Sequence, residues 1–446
     1  MIVRQTASDV IREVIAEIDM EGLLQKRTEG PNKEKKVQLK EYPSMHFCLE
    51  DPTKNWCGLP NLRQQVGLCL VEVTDYLLGA NPGFIHHFHP QHEKWLTVRG
   101  WEMKARTIDG HERPAGKMNQ MLYPYTYGDR IRCWPGSDLP IQDVIRSGVV
   151  ESHYDYKKTW EQNQDHTYEN LFLPTAIDQL EVVIEKLQNN PITRHAIISF
   201  WVPTNDHGRA YCPCTMTWQF ELREVKRKQQ LDMHVTIRSN DAIWGLPFDI
   251  FDATIFQQVV AARLGVPVGQ YYQTSNNMHY YDRHFHLINN ILAEKFELYD
   301  HTSFDPLPMW DKDRPWTKEE FDHTIDTLEM LLQDLVGKRV QEPDGYGMFD
   351  QLNGYWKNWA YAIACDYHRI QRNYDISLQY LDRVKNEWWL PLAQRLYRSV
   401  KVKLDDAMML EMILERIPGG LCPHLITEFR ANWKRAIPVI DERLWK

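Results

Sequence analysis

A chain of 446 residues, 43% hydrophobic and 12% aromatic, has ordinary globular composition and is long enough for one large domain with an appendage, or for two domains. Its net charge of -9 excludes a general nucleic-acid coat, which needs a basic field, but allows a small anionic substrate held by local arginines. No apolar run is long enough to span a bilayer, no secretory apolar segment follows Met1, and the eight cysteines form no CxxC pairs; a soluble cytoplasmic protein with free thiols and no metal is expected.

Asp9 to Leu24 carries Val10, Val14, Ile15, Ile18 and Leu23 at helical spacing, and Lys26 to Gly30 reads as a polar turn that contains Arg27. Leu68 to Gly79 is an apolar helix interrupted by Glu72 and Asp75. A carboxylate in such a stripe is costly to bury unless it is paired or protonated. Glu72 is therefore a candidate acid/base with a raised pKa, and Glu93 is the fallback. Trp101 to Gln120 reads as a polar loop, and Tyr127 lies in the run from Tyr125 to Arg132. A helix over Ile177 to Leu187 precedes Thr193-Arg194-His195 and a buried strand, Ala196 to Trp201.

Cys212-Pro213-Cys214-Thr215 precedes a strand pattern over Met216 to Leu222, and a second strand, Met233 to Ile237, leads into Arg238-Ser239-Asn240-Asp241. A cysteine acts as a nucleophile through its thiolate, which requires nearby positive charge or a donor. Gly245-Leu246-Pro247-Phe248-Asp249 opens a helix, Ile250 to Leu264, closed by Gly265, and Asp249 has the residue type of a helix N-cap. His279 and Tyr281, two apart in a strand, share a face. Beyond the helical Phe285 to Phe296, the capping box Thr317 to Glu320 and the stripe Phe321, Ile325, Leu328, Leu332 and Leu335 start a helical region. It continues over Tyr355 to Tyr367, Ile376 to Leu396 with a kink at Pro391, Asp405 to Arg416 and Leu425 to Arg435, and Trp356, Trp359, Trp388 and Trp389 suggest a packed core.

In that order and at those intervals these motifs resemble the thymidylate synthase family, which alkylates C5 of a pyrimidine nucleotide with a folate one-carbon unit. The resemblance implies an α+β fold, a mixed sheet with packed helices over residues 1–298. Residues 135–175 are an insertion, and residues 299–446 are an α-helical C-terminal extension without counterpart. Cys214, which follows proline and stands five residues before Gln219, is by resemblance the nucleophile in preference to Cys212, with Arg238 on both phosphate and thiolate. Glu72, seven residues before Gly79, becomes the acid/base, and Tyr127 assists departure of the C5 proton. Arg27 reaches the phosphate, as does Arg194 across a homodimer interface. Gln219 and Ser239 join the nucleotide site, Asp241 orients the folate pterin, and His279 with Tyr281 binds the sugar 3'-hydroxyl. The implied co-substrate is 5,10-methylenetetrahydrofolate. The chain departs from the family pattern at Asp75 and Ile131, which replace tryptophans, at His195 for an arginine, at Thr215 for a histidine, and at Asn277 for an aspartate.

Asp249 stands where the synthases carry asparagine. An amide donates to O4 and accepts from N3-H of uracil, whereas cytosine offers an N4 donor and an N3 acceptor. A carboxylate accepts from N4-H and shares a proton with N3. In this the chain resembles the deoxycytidylate hydroxymethylases of the same family, which viruses that modify their DNA encode. The expected function is folate-dependent hydroxymethylation of dCMP, with methylation of dCMP or dUMP as the alternative and an inactive synthase-fold binding module as the alternative of another class.

Overall fold

The computed structural model describes residues 1–28, 36–59, 62, 64–79, 84–88, 127–132, 177–206, 212–293, 308–310, 314–340, 343, 346–385, 388, 392 and 396. Strand β1 (Ile2–Arg4) leads into α1 (Ala7–Glu21), capped by Thr6, whose side chain accepts from the Asp9 amide. Lys26, Arg27 and Thr28 of the segment read as a turn instead belong to β2 (Leu23–Thr28), paired antiparallel with β3 (Lys36–Leu49), while Glu29 and Gly30 lie outside the described residues. Backbone pairing satisfies its amides whatever the side-chain polarity, so composition misleads there.

Next come α2 (Val66–Leu78), the short α3 (Ile85–Phe88), α4 (Tyr127–Arg132) and α5 (Gln179–Asn189), the last capped by Asp178 through the amides of Leu180 and Glu181. Then follow β4 (Ile197–Ser199), α6 (Pro203–Asp206), β5 (Thr215–Val225), β6 (Lys228–Ile237), β7 (Asn240–Asp241), α7 (Leu246–Leu264), β8 (Val268–Tyr281) and α8 (Phe285–Ala293).

The sheet runs β1-β3-β8-β6-β5-β4, with β2 beside β3 and β7 beside β8. It is mixed: β3 and β5 run antiparallel to their neighbours β8 and β6, while β6 and β7 run parallel to β8. Alternation along the strands sends Phe220, Met233 and Tyr271 into the core. Gln219, His234 and Tyr272, each one residue away, lie half-buried on the opposite face. Helix α7 is apolar nearly all round and is accordingly buried, from Ile250 and Phe251 to Val259 and Val260. The architecture is the α+β mixed sheet with packed helices that the sequence implies.

Beyond β8 and α8, α9 (Lys318–Val336) opens on the expected capping box of Thr317 and Glu320, and α10 (Gly354–Ile370) and α11 (Tyr374–Leu381) follow. These helices pack on the same core as the sheet. Trp359 Nε1 of α10 donates to Thr74 Oγ1 of α2 at 3.1 Å, and its ring stacks on Phe251 of α7 with centroids 6.1 Å apart. Trp316, Trp356 and Trp388 complete a buried aromatic cluster. The boundary expected near residue 298 falls among residues outside the described set. So do Glu93, the loop 101–120, the insertion 135–175, the Pro391 kink and the two helices expected beyond residue 400. Among the described residues, no helix is long and apolar enough to cross a membrane.

Candidate active site

Antiparallel pairing of β5 with β6 sets Thr215 opposite Ile237, so the residues just outside this pair, Cys214 and Arg238, are adjacent. The Arg238 amide donates to the Cys214 carbonyl at 2.8 Å. Its guanidinium is locked by donation to the carbonyls of Pro213 (2.7 Å) and Cys212 (2.9 Å), which leaves Nη2 3.8 Å from Cys214 Sγ. Cys214 is solvent-accessible, yet enough protein surrounds it for burial to push its thiol pKa up; Arg238 pulls it down, and Asp249 and Cys212 push it up again. The net shift is upward, so at rest the sulfur keeps its proton despite the arginine.

Tyr127 reaches the same place from α4. Its hydroxyl accepts from the amides of Cys214 (3.1 Å) and Thr215 (3.2 Å), and its ring packs on Phe200 and Tyr76. Two features fix α4. Gly128 lies against α2, where a Cβ would meet the Asp75 carbonyl oxygen at 2.7 Å and Tyr76 Cα at 3.0 Å. The fully buried Arg130 forms a two-pronged pair with Asp206, both contacts 2.8 Å, and also donates to the Phe200 carbonyl. Arg130 lay in the sequence motif, but its role as the anchor of Tyr127 becomes visible only when Asp206 is beside it.

Glu72 is half-buried on α2 and accepts from the Tyr76 hydroxyl at 2.7 Å. Burial pushes its carboxyl up, with the Tyr76 bond pulling the other way. Asp75, on the same helix, is pushed well above the carboxylate range, chiefly by burial. Asp249 lies in the first turn of α7; the N-cap position belongs to Gly245, which corrects the N-cap reading of the aspartate. Burial first, and then the charge of Glu72, push Asp249 up to about 7, while Asn240 holds it down. One turn further on, Asp252 is almost fully enclosed, its Oδ1 has no hydrogen-bond partner among the described residues, and burial with the charges of Glu72 and Asp249 pushes it far up. Asp252 carries no separate signal in the sequence, since an aspartate inside an apolar helix becomes informative only once its neighbours are known. The carboxyls of Glu72, Asp249 and Asp252 thus interact electrostatically with one another, Asp249 also with Cys214, and burial with mutual repulsion favours their protonated forms.

A second group lies along β7 and β8. Asp241 pairs with His279, and its Oδ1 accepts from the amides of Ile243 (2.9 Å) and Trp244 (3.4 Å). His279 Nδ1 contacts Asn277 Oδ1 at 2.9 Å, and its ring meets Tyr281 edge-on at 5.0 Å. Burial lowers His279 to about 4, so the imidazole is neutral. Arg27 comes to this group through Glu41, which accepts from Arg27 Nη2 (2.5 Å) and from Asn277 Nδ2 (2.8 Å). The Arg27 hydrogen bond is the main cause of the lowered Glu41 pKa. Ser239 is half-buried beside Arg238. Arg194 and His195 are exposed on the loop before β4, and Gln219 donates to the Arg194 carbonyl (3.4 Å) and to Glu221 Oε1 (3.0 Å). These described bonds tie Gln219 to the outer sheet face rather than to Cys214.

A cysteine beside an arginine, a tyrosine at its backbone and a carboxyl of raised pKa at the head of a buried helix form a pattern that can be compared with known proteins. Residues 117–304 match the family model described as thymidylate synthase. Over 155 residues the chain is 30% identical to the thymidylate synthase of Bacillus licheniformis, 29% to thymidylate synthase 1 of Bacillus subtilis strain 168, and 28% to the thymidylate synthase of Bacillus phage phi3T. Each of these alignments covers 35% of this chain and 51% of the relative, so the chain spans about half the length of the curated relatives it matches. The thymidylate synthase-like segment holds Tyr127, Arg194, Cys214, Gln219, Arg238, Ser239, Asp241, Asp249, His279 and Tyr281; Arg27 and Glu72 precede it.

Proposed function

We propose that this protein is a folate-dependent one-carbon transferase that hydroxymethylates C5 of a cytidine monophosphate, dCMP in the first instance. The observation that carries this reading is Asp249, a carboxyl with a pKa of about 7 where the base edge would be read, in electrostatic contact with the Cys214 thiol. Near neutral pH it is present both ionised and protonated, and can therefore accept from N4-H while exchanging a proton with N3 of cytosine.

In this mechanism the Cys214 thiol gives its proton to solvent water, Sγ bonds to C6 of the ring, and Arg238 compensates the charge. Negative charge moves through the ring to N3, where Asp249 holds a proton, and C5 becomes nucleophilic. 5,10-Methylenetetrahydrofolate supplies a one-carbon unit at the oxidation level of formaldehyde. Glu72 and Tyr127 handle the proton that C5 gives up as tetrahydrofolate leaves from the transferred carbon, and water added at that carbon gives the hydroxymethyl group while the bond from Cys214 Sγ to C6 breaks, the C5–C6 double bond re-forms and the thiolate is released. Asp241 and Trp244 fit a fused heterocycle beside the base: the indole is 57% exposed, with the Arg283 guanidinium 5.6 Å from its ring centroid. His279 and Tyr281 bind the sugar 3'-hydroxyl, and Arg27, Arg238 and Ser239 the phosphate. A homodimer through the half-polar outer sheet face brings Arg194 to the partner's phosphate site, with Gln219 between the two.

The relatives, which are thymidylate synthases, favour a second reading, methylation of dCMP or dUMP. Product mass after incubation with methylenetetrahydrofolate separates hydroxymethyl from methyl. Tritium released from C5-labelled dCMP against dUMP separates the bases, and preferential release from dUMP overturns the cytosine assignment. Trapping with a 5-fluoropyrimidine nucleotide tests the alternative of an inactive binding module, which predicts no adduct at Cys214.

A further inference from the structure

Asn240 is the first residue of β7 and pairs with Met278 of β8. Its side chain is 2% exposed, and neither its nitrogen nor its oxygen makes a hydrogen bond of good geometry among the described residues. A buried polar atom left in that state costs on the order of 1–3 kcal/mol. The amide nevertheless lies near enough to Asp249 to hold its carboxyl down. Gly245 makes this approach possible: a Cβ there would lie 2.8 Å from Asn240 Oδ1 and 3.3 Å from Asp249 Oδ2, so the two side chains converge over a bare Cα.

We propose that Asn240 is a positioning and specificity-determining residue that orients Asp249, so that an amide and carboxyl acting together read the exocyclic edge of the pyrimidine. A primary amide can serve either form of its neighbour: its N-H donates to an ionised carboxylate, and its carbonyl accepts from a protonated one. Engaging one oxygen of Asp249 turns the other toward the ring. Glu72 from α2, Asp241 from β7, Cys214 before β5, Tyr271 from β8 and Asp252 on α7 itself also interact electrostatically with Asp249. Glu72 and Asp241 oppose its ionisation, and the Asn240 amide counters them. Without that donor Asp249 stays protonated to higher pH. A neutral acid can pair with cytosine or with uracil by changing which oxygen carries the proton, so discrimination falls.

The inference rests on Asp249 facing the base, and its test has one arm that requires no substrate. Asn240→Leu and Asn240→Ser are made in the full chain. The carboxyl 13C titration of Asp249, assigned by its loss in Asp249→Asn, is followed together with tritium release from C5-labelled dCMP and dUMP. Asn240→Leu should move the Asp249 midpoint upward from about 7 and reduce the preference between the two nucleotides about tenfold, the equivalent of one hydrogen bond. Asn240→Ser, which keeps a donor, should restore part of both. An unmoved midpoint with a preference within about twofold of the parent overturns the role of Asn240. If Asn240→Leu does not fold, Asn240→Ser against the parent gives the same two readings. A parent enzyme that prefers dUMP defeats the cytosine assignment alone, because the midpoint still decides the Asn240 question.

Discussion

Replacing Asp249 by asparagine removes a carboxyl whose proton the fold holds tightly. An ordinary aspartate titrates near 3.8, and burial with the charge of Glu72 raises Asp249 to about 7. The native state therefore keeps this proton between those values while the unfolded chain loses it. Because the unfolded state then binds fewer protons, stability falls as pH rises through the interval and levels off above about 7. At 1.36 kcal/mol per pH unit the full effect is at most roughly 4 kcal/mol, an upper limit because Asp249 retains some solvent contact. Asp249→Asn keeps the shape and abolishes this titration. Urea denaturation followed by tryptophan fluorescence at a series of pH values should show the variant gaining on the parent as pH rises from 4 to 7, with a constant difference above. Parallel stability curves over the whole range would refute the argument. In tritium release, the same variant should shift preference from dCMP toward dUMP.

Arg238→Met removes the cause that, among the described residues, lowers the Cys214 pKa; the pH profile of iodoacetamide alkylation at Cys214 should move up by about one pH unit or more, and nucleotide turnover should be lost. Gly128→Ala inserts a methyl 2.7 Å from a backbone oxygen of α2, so α4 must shift and carry the Tyr127 hydroxyl off the Cys214 and Thr215 amides; turnover should fall about tenfold to a hundredfold with little change in circular dichroism. Trp359→Ala empties a fully buried site and removes the indole donor to Thr74 Oγ1, and chemical denaturation should show a loss of about 3–5 kcal/mol. If that loss is confined to a separate transition of the C-terminal helices, the shared core is not one cooperative unit.

Local pattern in the sequence determined much of this protein. The period of two in β5 and β6, the apolar run of α7 and the box at Thr317 follow from contacts between residues near in the chain, and they appear where expected. The chemical types at Cys214, Arg238 and Asp249 were equally legible, because ordered motifs carry their own spacing. Tertiary structure decided what those groups experience. Glu72 was suspected from its apolar helix, and the bond from Tyr76, four residues on in α2, is local, but the neighbouring carboxyls of Asp249 and Asp252 come from packing. Lys26, Arg27 and Thr28 joined a strand because β3 offered an edge. The helices after residue 317, which read as an appendage, share the core with α2 and α7, since burial is a property of assembled surfaces and leaves no mark in the order of residues.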